Sequence, residues 1–276
     1  MNYHQLPTKY IDQLSLNVSD IQRSIDFYSN TIGMQVLENG DRKAVMTFDG
    51  EQPILTLVQP ESVNPLDRRK TGLFHVAYLV PTRSDLANAV YYFWKNQLPI
   101  QGASDHRVSE ALYLADPDGN GIEIYRDREP NEWKWNNERV EMDTIPLDVN
   151  GILQERTDEG WNGFPKDSKI GHIHLQVHDI ASVQPFYEAL GFDVVAEYGP
   201  QALFMADQKY HHHIGMNVWN SRNGEKKLEN DIGLNWYSVK MTEEDRQKAK
   251  ENLSDQVSEA EGHYVVEDPA GIKVKF

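Results

Sequence analysis

The sequence predicts an α+β fold, with four βαβββ modules in two tandem halves that curl into cupped, open mixed β-barrels. Three observations predict it. Ser15-Leu16-Asn17-Val18-Ser19-Asp20-Ile21, followed by Phe27-Tyr28 and Ile32-Gly33-Met34, returns as His174-Leu175-Gln176-Val177-His178-Asp179-Ile180, followed by Phe186-Tyr187 and Leu190-Gly191-Phe192. Gly72-Leu73-Phe74-His75-Val76-Ala77-Tyr78 likewise matches Gly233-Leu234-Asn235-Trp236-Tyr237-Ser238-Val239. Each of this second pair leads through a helix to a closing hairpin, at Asp116-Pro117-Asp118-Gly119 and at Asp268-Pro269-Ala270-Gly271. Self-similarity at this scale marks a repeated supersecondary unit.

The elements follow from local chemistry. In the first and third modules an alternating strand runs into Asp20 or Asp179, each placed to N-cap an amphipathic helix that ends at Gly33 or Gly191. In the second and fourth, the helices span about Arg83–Asn96 and Glu243–Leu253. The second module ends in a hairpin from Ser109 to Tyr125, two alternating runs around Asp116-Pro117-Asp118-Gly119-Asn120-Gly121. Between the halves, Arg126 to Lys169 is rich in Trp, Asn, Glu and Pro without a sustained period. The halves are therefore placed at 8–130 and 169–276, with 131–168 as a linker that wraps the surface or carries a short helix, anchored by Trp133 and Trp135.

The balance of Lys+Arg 27 against Asp+Glu 43 gives a net charge of −16, which argues against nucleic acid and anionic membranes as partners. With no cysteine there are no disulfides, thiolate ligands or cysteine nucleophiles. Neither a signal-peptide core near Met1 to Leu16 nor a stretch of membrane-spanning length occurs, so a cytoplasmic protein is expected.

Chemistry concentrates on a few strand positions. Glu123 interrupts an apolar return strand between Ile122 and Ile124, and a carboxylate buried there needs a cation or several donors. His75 lies mid-strand among Leu73, Phe74 and Val76, and His172 opens the third module with His174 on its face. A lone strand histidine is more often a satisfied core residue. Two imidazoles and one carboxylate on apolar strands instead compose a set that leaves positions open on a divalent metal, and it suits non-haem Fe(II), with Mn(II) or Zn(II) also accepted.

On these motifs the chain resembles the vicinal-oxygen-chelate superfamily, which includes glyoxalase I, fosfomycin-resistance proteins and type I extradiol dioxygenases; the fold implied is glyoxalase-like. The Tyr-His-His-His-Ile-Gly tract (Tyr210 to Gly215), the Ser-Glu-Ala-Leu-Tyr hairpin (Ser109 to Tyr113) and the Gly-His-Ile-His-Leu strand (Gly171 to Leu175) resemble ring-cleaving catechol or hydroquinone dioxygenases. The family's ligand positions fall on His172, seven residues before Asp179, and on His75 and Glu123. The equivalent set elsewhere reads Gln13, Trp236 and Lys273, which holds no divalent cation. One metal site assembled across the halves is implied.

The resemblance further implies a metal-dependent extradiol cleavage of a small aromatic by O2. It implies His213 as acid/base, with His211 on the same face, Tyr113 as a contact to a substrate hydroxyl, and His106 as a further substrate contact. An alternative is a glyoxalase-like isomerase or lyase using the same ligands, with a carboxylate such as Glu110 shuttling a proton; no fourth ligand of the glyoxalase kind is evident. A third reading is a protein of this fold that only binds a small molecule. Fusing the halves removes the need for a dimer to complete the site, and a homodimer is left open.

Overall fold

The computed structural model describes residues 2–260 and 262–276. The first module comprises β1 (Tyr10–Asn17), α1 (Ile21–Asp26), β2 (Gln35–Asn39), β3 (Lys43–Thr47) and β4 (Leu55–Val58). The second comprises β5 (Gly72–Leu79), α2 (Arg83–Lys95), β6 (Gly102–Asp105), β7 (Ser109–Ala115) and β8 (Gly121–Asp127). The connecting segment carries β9 (Trp135–Asn136), β10 (Arg139–Val140), β11 (Ile145–Pro146) and α3 (Val149–Leu153). The third module has β12 (Lys169–Gln176), α4 (Ile180–Ala189), β13 (Asp193–Glu197), β14 (Ala202–Ala206) and β15 (Ile214–Asn217). The fourth has β16 (Gly233–Lys240), α5 (Glu243–Leu253), β17 (Ser258–Ala260), β18 (His263–Glu267) and β19 (Lys273–Lys275).

The strands form two large mixed sheets that do not respect the sequence halves. One runs β17-β18-β19-β16-β1-β4-β3-β2 and the other β11-β6-β7-β8-β5-β12-β15-β14-β13. The first module thus pairs with the fourth through antiparallel β1 and β16, and the second pairs with the third through antiparallel β5 and β12. Each seam places a strand from either half at the centre of a sheet, where curvature makes a cup.

Within each half the modules are tied by a buried tyrosine. Tyr28 donates to Asp116 at 3.2 Å, and its repeat partner Tyr187 donates to Asp268 at 2.9 Å. Asp116 also accepts from the backbone of Asp118 and Asn120, and Asp268 from Ile272, so the same acid closes each hairpin. The predicted caps form as well: Asp20 accepts from the Arg23 amide and Asp179 from the Ser182 amide, each at 2.9 Å. Replacing Asp179 with Ala should lower the unfolding free energy by about 1 kcal/mol, read from the urea midpoint at an unchanged slope.

The connecting segment is built into the second sheet rather than draped over it. Trp133 is buried and its Nε1–H reaches the carbonyls of Val108 and Arg128, both at 3.1 Å, while β11 pairs with β6. None of the helices among the described residues is long and apolar enough to cross a membrane.

Candidate metal centre

The centre forms where three adjacent strands bring their inward faces together. Ala77 in β5 pairs with Glu123 in β8 on one side and with His172 in β12 on the other. Residues paired across a ladder share a face, and the methyl of Ala77 leaves the space above it to its two neighbours. His75 lies two residues earlier in β5, on that same face. Its ladder partner is Gly121, where a Cβ would sit 2.2 Å from the Phe74 carbonyl oxygen and 3.0 Å from the His75 Cβ. Only glycine fits beside that imidazole.

His75, Glu123 and His172 are all buried, and their ligating atoms lie within 4.8 Å of one another. His75 Nε2 is 3.0 Å and His172 Nε2 3.2 Å from the same oxygen, Glu123 Oε2. Despite this proximity, His75 Nε2 is a buried atom without a hydrogen bond. A buried ring nitrogen with no hydrogen-bond partner beside a carboxylate fits a ligand position for a divalent cation. Burial pushes the Glu123 carboxyl up, but His172 and His75 more than reverse this and hold it well below the usual carboxylate range. Burial lowers His172 to about 4. A neutral imidazole and an anionic carboxylate are the ligating forms.

The triad floors a cavity of about 380 Å³, enough for a single substituted ring. Its walls are mainly aromatic and apolar, with Phe74, Leu114, Ile122, Phe204 and Trp219 among them. Met142 and Thr144 of the connecting segment complete the rim. Glu123 is the one carboxylate among the described residues of the lining.

Tyr113 and His106 both face this cavity and touch each other, with Tyr113 Oη 2.6 Å from His106 Nε2. His106 Nδ1 lies 2.8 Å from the Asp143 carbonyl, which can only accept, so Nδ1 carries the proton and Nε2 accepts from the phenol. The phenol oxygen keeps acceptor capacity for a hydroxyl in the cavity. Burial, reinforced by the charge of Glu123, raises Tyr113 well above the usual phenol range.

Three expectations change. His213 lies outside the cavity: its Nε2 is 3.0 Å from the Tyr3 carbonyl and its Nδ1 accepts from the Asp207 amide at 3.2 Å. His212 takes the cavity wall instead, its ring centroid 4.0 Å from that of His172. Strand alternation, which favours His213, does not apply because β15 begins only at Ile214 and the chain bends at His211 and His213. Glu110 is buried away from the cavity and bound by Arg83 through Nε at 2.8 Å and Nη2 at 3.0 Å. Finally, the counterpart of Glu123 is Lys275 rather than Lys273. Lys275 pairs with Ser238, which pairs with Gln13, just as Glu123 pairs with Ala77 and Ala77 with His172. The two turns are equally long, but matching Gly271-Ile272-Lys273 by eye to Gly121-Ile122-Glu123 slips the register by two. Lys275 Nζ stands 4.0 Å from the Trp236 ring centroid, a cation–π contact in the cup that lacks metal ligands.

The cavity also holds residues that the motifs did not single out, Tyr198, Phe204 and Trp219, together with His174, whose Nε2 accepts from Asn217 Nδ2–H at 3.0 Å. Period-two alternation from His172 signals His174; nothing local signals the aromatics, which arrive from separate strands and loops.

Comparison with known proteins agrees with this architecture. Residues 10–124 match the family described as Glyoxalase/Bleomycin resistance protein/Dioxygenase superfamily. The chain is 41% identical to the catechol-2,3-dioxygenase of Bacillus subtilis (strain 168), over 97% of this chain and 96% of that protein. It is 27% identical to biphenyl-2,3-diol 1,2-dioxygenase 2 of Rhodococcus globerulus, over 41% of this chain and 60% of that one. The fold is shared with glyoxalase I from Zea mays, at a TM-score of 0.58 and 14% identity over 100% of this chain and 94% of that chain. A likeness that runs the length of the chain, joined to the family match over its first half and to the doubled modules, makes this protein a member of the glyoxalase/bleomycin resistance protein/dioxygenase superfamily.

Proposed function

We propose that this protein is an extradiol ring-cleaving dioxygenase that uses Fe(II) and O2 to open a catechol- or hydroquinone-type aromatic in the cytoplasm. The observation that carries this reading is the makeup of the cavity: a two-histidine, one-carboxylate set under a largely aromatic and apolar space that also presents the His212 imidazole and the Tyr113 phenol, with no second carboxylate among the described lining residues. The isomerase reading needs a second carboxylate to shuttle a proton between carbons, and Glu110 is held elsewhere by Arg83. The full-length likeness to a catechol-2,3-dioxygenase points the same way.

His75, Glu123 and His172 would hold the metal, which when bound would supply Lewis acidity to ring oxygens and a path for electrons from the aromatic substrate to O2. The chain does the rest. Phe74, Phe204 and Trp219 line the space for the ring and exclude water, which strengthens every polar contact inside. The Tyr113 phenol oxygen, fixed by His106 and through it by the Asp143 carbonyl, orients a substrate hydroxyl. His212, kept neutral by burial, has Nε2 free to take a proton from a hydroxyl and return it.

The test is reconstitution. Metal-free protein is loaded anaerobically with Fe(II), mixed with a catechol or alkylhydroquinone, and exposed to O2. Oxygen uptake with a yellow ring-opened product is expected, and a chelator should abolish it. Activity on a hemithioacetal under Ni(II) or Zn(II), without oxygen uptake under Fe(II), would overturn the proposal. Replacing Tyr113 with Phe should lower kcat roughly 10²-fold while Fe(II) occupancy, measured by elemental analysis, stays at the wild-type level.

A further inference from the structure

Behind the cavity wall lies a buried polar chain that the reaction as described leaves unused. His212 Nδ1 is 2.8 Å from His211 Nδ1, and His211 Nε2 is 2.7 Å from Asp127 Oδ1. His211 is wholly buried, whereas the Asp127 side chain is 21% exposed and borders a depression beside Tyr3, Trp133 and Lys169. Asp127 also accepts from Tyr210 Oη at 3.0 Å, and Tyr210 stands 2.7 Å from Tyr125 Oη. Every group that touches this carboxylate donates to it.

The direction of the chain follows from donor chemistry. A carboxylate only accepts, so His211 Nε2 bears hydrogen. With His211 a neutral imidazole, its one N–H is at Nε2, its Nδ1 is a lone pair, and the 2.8 Å contact places the hydrogen on His212 Nδ1. His212 then turns a bare Nε2 to the cavity. We propose that Asp127 and His211 are positioning residues that lock His212 in its Nδ1–H tautomer and present Nε2 as a base to a hydroxyl bound over the triad. What that base serves rests on the ring-cleaving reading; the tautomer does not.

The step balances within the groups present. The substrate O–H bond breaks, its electron pair stays on oxygen, and the proton forms a new bond to His212 Nε2. The imidazolium so formed is stabilised through Nδ1–H by His211 and, one bond further, by Asp127. The logic is that of a buried acid fixing a histidine's tautomer in serine hydrolases, with one imidazole interposed. A hydrogen-bond network that merely satisfied buried polar groups would have no need to end on an anion at the surface.

The experiment reads the tautomer directly, in metal-free protein carrying ¹⁵N-labelled histidine. Two-bond ¹H–¹⁵N correlation spectra of the wild type should give His212 a protonated Nδ1 and an unprotonated Nε2. Asp127→Ala should move His212 toward the Nε2–H form, and Asp127→Glu should restore the wild-type pattern. In the Fe(II)-loaded enzyme, Asp127→Ala should lower kcat roughly 10²-fold with KM changed by less than about threefold. Wild-type His212 protonated at Nε2, or a tautomer that ignores Asp127→Ala in folded protein, overturns the proposal. The wild-type spectrum decides without any variant. Should that spectrum be as expected while the reconstituted enzyme takes up no oxygen, the ring-cleaving reading fails and the tautomer assignment stands.

Discussion

Glu123→Ala is expected to lower Fe(II) affinity by more than roughly 10³-fold, beyond the 10–100-fold that outer-sphere partners are worth, and to remove ring-cleaving activity with it. The same change should also destabilise the metal-free protein, because His172 and His75 favour the ionised carboxylate in the fold. Glu123 is an anion buried between two imidazoles, with one hydrogen bond from His172 at 3.2 Å and none from His75. Burying such a charge is costly, but the two imidazoles more than offset it, so deleting the carboxylate leaves their buried nitrogens without a partner. Isothermal titration with Fe(II) under argon and calorimetric melting of the apo forms measure the two halves of the prediction. A variant that keeps its metal would refute the site; an apo Tm equal to or above the wild-type value would refute the account of a carboxylate held by its two imidazoles.

Gly171→Ala should be strongly destabilising. A Cβ at Gly171 would lie 1.7 Å from Tyr125 Oη and 2.5 Å from its Cζ. Tyr125 is fully buried, bonded to Tyr210, and packs its ring 4.9 Å from that of His172. Neither partner can retreat without moving β12 against β8, so a cost of about 3 kcal/mol is expected, at the upper end for overpacking. For a chain of this size that is a fall in Tm of roughly 6–12 °C. Because His172 is the next residue, metal affinity should fall too. Combining Gly171→Ala with Tyr125→Phe removes the nearest clashing atom and should recover part of the loss, a coupling that a double-mutant cycle exposes. A Tm within 2 °C of wild type would refute the packing argument.

How far the sequence could be read depended on the range of the physics involved. Modules, caps and hairpins are local: Asp20 and Asp179 sit just before their helices, and the α5 boundaries, Glu243–Leu253, fall where the pattern put them. The convergence of His75, Glu123 and His172 was accessible because the repeat relates strands that periodicity alone leaves unconnected. His212 was not accessible. Its placement depends on a bend before β15 that breaks alternation, and no residue pattern announces it. Lys273 reads as the counterpart of Glu123 because Gly271-Ile272-Lys273 imitates Gly121-Ile122-Glu123, whereas register is a property of ladders and assigns Lys275. Glu110 looked available from its strand, and only the tertiary position of Arg83 on α2 shows that it is taken.

The exchange of modules between sheets has a bearing on how this chain is made. Tyr10 pairs with Lys240, and β1 holds the interior of its sheet only once β16 has arrived beside it. During synthesis the first half therefore waits with the edges of β1 and β5 unpaired while β12 and β16 are still to be translated. Such edges invite pairing with other chains, and contacts this distant in sequence close slowly. A chain arrested before Gly233 would have β5 and β12 and every residue of the metal triad, yet β1 would stand open along one side. Lys273–Lys275 of the fourth module joins this sheet along β16, so the sheet that holds β1 is completed by strands more than 200 residues further along the chain.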